Sequence, residues 1–217
     1  MSRTGLLASR VVWRRRAAFR HRRWTYWRDR PRQDVRVHSL RRKWWNLYDA
    51  AQHEIRRLNR VLEPPVVVMF DSVDLNTIPA SARAVAGYVG GHWPTFQGLV
   101  SRFPGAHHLS IAVNSSEDAE CLDIENGDAT PVEAPVWFRR QKARSVKRPC
   151  FYASLSIMSQ VREALSHAGI QRGEYRLWVA HYTFVAHLEP GYDACQWTDR
   201  ALGRNLDQSL CSPTFFD

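Results

Sequence analysis

The chain has 217 residues, 44% of them hydrophobic and 12% aromatic, with nine Trp and a net charge of +10. That length suffices for one full domain and an appendage. No apolar run is long enough to cross a membrane. The charge is unevenly spread: residues 1–64 hold 18 Lys and Arg against 5 Asp and Glu, and residues 65–217 hold 13 against 16. A basic arm (residues 1–64) therefore precedes a mildly acidic domain (residues 65–217), and the arm is expected to meet a polyanion, a membrane surface or a protein assembly.

Residues 1–37 are dense in Arg, with Trp13, Trp24, Tyr26 and Trp27 interleaved and Pro31 interrupting them. That mixture suits phosphate contact with base stacking. It also suits an interfacial helix on a membrane, or a docking arm for a larger assembly. A solvated, partly disordered tail is a further reading. Residues 39–62 predict a helix with Ser39 as N-cap, ended by Pro64-Pro65. Trp44, Tyr48, Ala51, Ile55, Leu58 and Leu62 space out as a heptad seam. No signal-peptide pattern follows the short start. A cytoplasmic product, held there until release or carried on a virion, is expected.

From Val66 the pattern changes to short apolar runs alternating with helical stretches. Strands are predicted at 66–70, 84–89, 108–113, 121–125, 149–154, 175–182 and 194–197, with an eighth near 206–210. Helices are predicted at 96–103, 134–145 and 159–168. Nearly all-apolar strands argue for a parallel sheet covered by helices, so the fold class is α/β. The number of units points to a small, trimmed (β/α) barrel; a doubly wound open sheet is the alternative. No glycine-rich phosphate loop is present. Cys121, Cys150, Cys195 and Cys211 have neither zinc-pair spacing nor a disulfide framework and read as buried thiols, with a Cys195–Cys211 bridge open.

The most informative stretch is Cys121–Gly127. Leu122 and Ile124 alternate with Asp123 and Glu125, placing two carboxyls on one side of a strand, roughly 6.5–7 Å apart. Asn126-Gly127-Asp128 breaks the strand, so the acids sit at its C-terminal end, where barrels build active sites. Like charges that close disfavour joint ionisation, leaving one carboxyl protonated near neutral pH. Other predicted strand ends carry Asp71, Tyr88, Tyr152, Trp178, His181, Tyr182, Gln196, Trp197 and Asp207. His107-His108 is an adjacent pair with no clear third ligand, so neither a metal nor a cofactor is expected.

This ordered set resembles the family 25 glycoside hydrolases, muramidases with a shortened β/α barrel, and resembles more closely a phage- and actinobacteria-associated group of glycoside-hydrolase-like proteins. The resemblance covers residues 66–217. Met69-Phe70-Asp71 is similar to the family's opening strand. Leu122-Asp123-Ile124-Glu125 is similar to its Asp-x-Glu pair, Phe151-Tyr152 to the aromatic strand that follows, and Leu177–Tyr182 to its Leu-Trp-x-Ala-x-Tyr strand. Gln196-Trp197-Thr198, Asp207 and Phe215-Phe216 are similar to its closing segment. Phe70 stands where the family has Gly. The resemblance implies peptidoglycan glycan strands as substrate and Glu125 as general acid. Asp123 would stabilise the charged sugar or orient its 2-acetamido group, and Asp71 and Asp207 would line the same cleft. Tyr88, Tyr152, Trp178, Tyr182, Gln196 and Trp197 would bind substrate. The competing expectation is a non-catalytic virion or assembly protein on the same scaffold, anchored through its arm.

Overall fold

A computed structural model describes residues 3–28, 35–62 and 66–217. Pro31, Pro64-Pro65 and the side chains of Trp27, Leu58 and Leu62 lie outside the described residues. The chain divides into two compact units, Met1–Pro64 and Pro65–Asp217.

Among its described residues the first unit holds two helices, α1 (Arg3–Arg28) and α2 (Val35–Leu62). Helix α1 occupies most of the stretch for which a partly disordered tail was one reading. Helix α2 begins four residues before Ser39, which lies inside the helix rather than capping it. The helices run antiparallel. Trp24 meets Trp45 with ring centroids 5.1 Å apart, and His21 meets Tyr48 at 5.0 Å. Arg20 donates to the Leu47 carbonyl at 2.8 Å. Arg41 donates to the Arg28 carbonyl, one of the acceptors a helix end leaves open. Ala17 and Ala51 are the buried positions among the described side chains of this unit; their small size lets the backbones approach. The described positions of the predicted seam, Trp44, Tyr48, Ala51 and Ile55, thus face α1.

The second unit is a closed eight-stranded barrel in sequential order. Its strands are β1 (Val67–Asp71), β2 (Ala84–Tyr88), β3 (His107–Ala112), β4 (Cys121–Asp123), β5 (Cys150–Ser154), β6 (Arg176–Ala180), β7 (Ala194–Thr198) and β8 (Asp207–Cys211). Closure excludes the open doubly wound sheet. Helix α3 (Phe96–Arg102) joins β2 to β3, α4 (Ala134–Ala143) joins β4 to β5, and α5 (Met158–His167) joins β5 to β6. Strands β1–β7 are parallel to one another, whereas β8 is antiparallel to both of its neighbours, β1 and β7. An all-parallel sheet was expected. The connector 199–206 is too short to carry the chain back down the barrel for a full parallel strand, which takes about a dozen residues. The equally short 113–120 connector suffices for β4 because β4 pairs only with the last residues of β3.

Alternation along the strands sorts the core into layers. Leu122, Ile124, Phe151, Leu177 and Val179 point outward and pack with Trp137, Phe138, Val161 and Leu165 of α4 and α5. Met69, Ala84, Ala86, Cys121, Cys150, Trp178 and Cys211 point inward with Phe215. All four thiols are free and buried. Cys195 belongs to the outer layer and Cys211 to the inner one, on opposite faces of the sheet, so they cannot bridge.

Candidate functional site

The inward rows that carry Met69, Ala86, Cys121, Cys150 and Cys211 end in polar residues at the barrel's other end. Asp71 is 5% exposed and Asp123 2% exposed, while Glu125 and Asp207 are half-buried. Strand β4 ends at Asp123, two residues short of the predicted end, yet the Ile124 N–H still donates to the Tyr152 carbonyl at 2.9 Å. That bond keeps the alternation running, with Ile124 outward and Glu125 at the site.

A cleft of about 200 Å³ opens here, lined by Val73, Tyr88, Gly90, Gly91, His92, Trp93, Val113, Asp123, Glu125 and Asp128. Its wall is built tightly. A Cβ on Gly91 (φ +71°) would meet Val113 at 2.8 Å, and one on Gly90 would strike the Glu117 carboxylate. Glu117 is fixed by the backbone N–H groups of Val113 and Asn114, each at 3.2 Å. The turn leaves Trp93 62% exposed at the rim.

The acids act on one another. Burial pushes the Asp123 carboxyl well up, Glu125 and Asp128 push it further, and the Tyr88 hydroxyl opposes them by favouring the ionised form. Glu125 is raised by burial and then by Asp128, with the Tyr152 hydroxyl pulling the other way. Burial raises Asp71 strongly, and Asp207, Asp123 and Glu125 add to it. Asp71 and Asp207 are direct partners across β1 and β8. The Asp71 Oδ2 atom is buried without a donor. A buried carboxylate oxygen opposite another carboxyl is satisfied when one of the two is protonated, and the stronger burial of Asp71 favours the proton there, with Asp207 as its acceptor. Burial and the surrounding acids push the Tyr88 hydroxyl far up, so it remains a donor. Tyr182 accepts from Gln196 Nε2 at 3.1 Å, and burial pushes its hydroxyl up to about 12.

The structure therefore brings Asp71, Asp123, Glu125, Asp207, Tyr88, Tyr152, Tyr182 and Gln196 to one end of the barrel. Not all of them line the cleft. Asp71 and Asp207 do not, and the acid that most raises Glu125 is Asp128, which sequence reasoning treated as a strand breaker. Trp178 is 1% exposed inside the barrel, donates to Ser209 Oγ at 2.9 Å and packs at a tilt against Tyr152; it offers no face to a sugar. Tyr152 is likewise buried and presents its hydroxyl alone. Trp197 packs against the outer layer, because the position after inward-facing Gln196 must point away. Trp93 was missed, and its signal was an aromatic between Gly90-Gly91 and Pro94 directly after a strand. His107 stacks on Phe216 and His108 bonds the Phe103 carbonyl, so that pair is structural. Among the described residues, the side chains that converge as metal ligands do are His181, His187 and Glu189.

No model of a known protein family, no curated protein and no solved structure matches this chain. No helix among the described residues is long and apolar enough to cross a membrane.

Proposed function

We propose that residues 65–217 form a glycoside-hydrolase-like domain of the family 25 muramidase type, a trimmed (β/α) barrel that cleaves the glycan strands of bacterial peptidoglycan. The observation that carries this reading is the placement of Asp123 and Glu125 in one cleft beside an exposed Trp93. Sequential strand order, with helices in three of the connections, agrees with a trimmed barrel.

Glu125 is the general acid. Its burial and the nearby Asp128 favour the protonated form, and it faces the cleft where a glycosidic oxygen would sit. Its proton passes to the leaving oxygen as the bond to the anomeric carbon breaks. Asp123, held by Tyr88, stabilises positive charge at that carbon or orients the 2-acetamido group that attacks it. Water then bonds to the anomeric carbon, and the Glu125 carboxylate takes its proton, restoring the acid. Trp93, rather than Trp178 or Trp197, supplies the flat face for a sugar ring. The arm, residues 1–64, holds the enzyme on a polyanion, a membrane surface or a virion protein.

A second reading rests on the size of the cleft. At about 200 Å³ it is smaller than the roughly 300–1,000 Å³ of most ligand sites. A glycan strand would seat only partly, which favours a non-catalytic assembly protein that keeps the scaffold. Release of reducing sugar from purified peptidoglycan, wild type beside Glu125→Gln, separates the two. Turnover abolished in the variant supports the hydrolase; no turnover by either protein leaves the scaffold reading.

A further inference from the structure

The chain between β6 and β7, residues 181–193, contains neither helix nor strand. Connections of about 12–15 residues without secondary structure are uncommon unless something orders them. Here three side chains of the connection and one from β7 converge. His181 Nδ1 lies 2.8 Å from Glu189 Oε2, and His187 Nε2 lies 3.2 Å from the same oxygen. The Cys195 sulfur, fully buried, is 3.6 Å from His187 Nε2.

The other ring nitrogen of His187 shows why this cluster is more than a set of hydrogen bonds. Nδ1 lies 2.9 Å from the Val185 carbonyl and 3.1 Å from Thr183 Oγ1. A carbonyl only accepts, so Nδ1 carries the proton, and in the neutral ring Nε2 presents a lone pair. That lone pair faces a carboxylate oxygen and a sulfur. The ligand atoms of His181, His187 and Glu189 all lie within 4.8 Å of one another, close enough to share one cation, and the Cys195 sulfur sits beside His187. An imidazole that donates its second nitrogen to a backbone carbonyl is also the usual arrangement of a metal-bound histidine.

The spacings agree. Tetrahedral zinc, with bonds of about 2.0–2.3 Å to nitrogen, oxygen and sulfur, separates neighbouring ligand atoms by roughly 3.2–3.8 Å. The histidine and glutamate atoms, 2.8 and 3.2 Å apart, need open by only a few tenths of an ångström, while the Cys195 sulfur, 3.6 Å from His187 Nε2 but outside the group whose atoms all lie within 4.8 Å of one another, must swing toward His181 and Glu189 to complete the tetrahedron. Two imidazoles, a carboxylate and a thiolate form a donor set that zinc accepts.

We propose that His181, His187, Glu189 and Cys195 form a zinc site that clips the β6–β7 connection onto β7. With four protein ligands the site is closed, so its role is structural; open catalytic sites keep a position for water. The clip fixes the backbone next to Tyr182, whose hydroxyl takes the Gln196 hydrogen bond at the end of the barrel that bears the acids. None of Asp71, Asp123, Glu125 and Asp207 belongs to it, so the site stands whether or not the barrel cuts glycan.

The test uses the full-length chain, stripped with a chelator, reloaded with Zn²⁺ and desalted. Wild type is expected to retain about one Zn²⁺ per chain. His187→Ala is expected to bind at least about 100-fold more weakly, beyond the 10–100-fold that follows when a residue merely hydrogen-bonded to a ligand is removed. Co²⁺ in place of Zn²⁺ should give the intense visible bands of a tetrahedral ion together with a thiolate charge-transfer band. The near-isosteric Cys195→Ser should lose the charge-transfer band and keep the visible ones, which reads the site even if His187→Ala folds poorly. Equal zinc retention by wild type and His187→Ala, or a cobalt spectrum without the thiolate band, would overturn the proposal. The cluster would then be a set of hydrogen bonds among His181, His187, Glu189 and Cys195 with no ion at its centre.

Discussion

The two units differ in their arginine balance: both bond some guanidiniums to carbonyls and lay others over rings, but only the barrel holds acids enough to match its basic residues. In the barrel, arginines are matched to acceptors. Arg148 and Arg172 both reach Asp193, at 3.0 and 2.6 Å, and Arg140 reaches Asp118 at 2.9 Å. Buried Arg176 donates to the Arg148 and Phe215 carbonyls, each at 2.7 Å. In the helical unit, arginines lie over rings: Arg16 and Arg20 over Trp13, Arg23 over Phe19 and Trp44, Arg28 over Trp24. Its 5 acids can match fewer than a third of its 18 basic residues. Stacking of that kind contributes about 0.5–1 kcal/mol per exposed pair and neutralises no charge. The barrel thus matches its charges largely internally, while the helical unit carries more positive charge than its own acids can match, with Val11, Val12, Phe19, Tyr26 and Trp45 also exposed.

The largest expected effect tests the barrel half of that contrast. If the acids are catalytic, Glu125→Gln should lower peptidoglycan turnover about 10²–10⁴-fold, the contribution of a positioned general acid, with an unchanged circular dichroism spectrum. Trp93→Ala should raise KM more than it lowers kcat, because a stacking face binds substrate without moving protons. Trp178→Ala should do something different in kind. It empties the barrel interior and strands Ser209, costing about 3–5 kcal/mol of stability, read as a fall in Cm in urea with an unchanged m-value.

These substitutions also mark how far the sequence was legible. Period-2 alternation placed Asp123 and Glu125 on one side of β4 correctly, because the register survives even where the strand ends early. All eight strands and the three barrel helices fell within a few residues of their predicted limits, since apolar runs bounded by Gly and Pro carry that signal locally. Trp178 and Trp197 were misread because one-dimensional spacing says a residue is aromatic at a strand end but not whether it points in, up or out. The direction of β8 was hidden for the same reason: the apolar run is equally good in either sense, and only the length of 199–206 decides. The His181, His187, Glu189 and Cys195 cluster was invisible because its order depends on a loop folding back on itself.

The helical unit offers the next test. If its charge is kept for a polyanion, double-stranded DNA should bind full-length protein with an affinity that falls steeply with salt. Replacing Arg14, Arg15 and Arg16 with Gln should reduce the slope of log affinity against log salt by up to about 0.9 for each phosphate no longer neutralised. Peptidoglycan turnover should stay as it was. A slope unchanged by the three replacements would show that the arm's charge is not what holds DNA, and would favour a protein partner.

The smallest effect concerns the pair Asp71 and Asp207. Both carboxyls are raised in the folded protein, Asp71 most by burial and then by Asp207. A carboxyl raised on folding binds its proton more tightly in the native state than in the unfolded one. Its stabilising contribution is therefore complete below the unfolded carboxylate range and is lost as pH rises toward the folded value. Asp123 and Glu125 shift the same way, so wild-type Tm should rise as pH is lowered from neutral into the mildly acidic range, until general acid unfolding intervenes. Asp71→Asn removes one titrating member yet keeps a donor for Asp207, which can then stay ionised. That variant should show a flatter Tm profile and match or exceed wild type at neutral pH, where the native pair is hardest to accommodate. A variant whose profile runs parallel to wild type would mean that the two carboxyls do not share a proton, and that the orphaned Oδ2 of Asp71 is met by water instead.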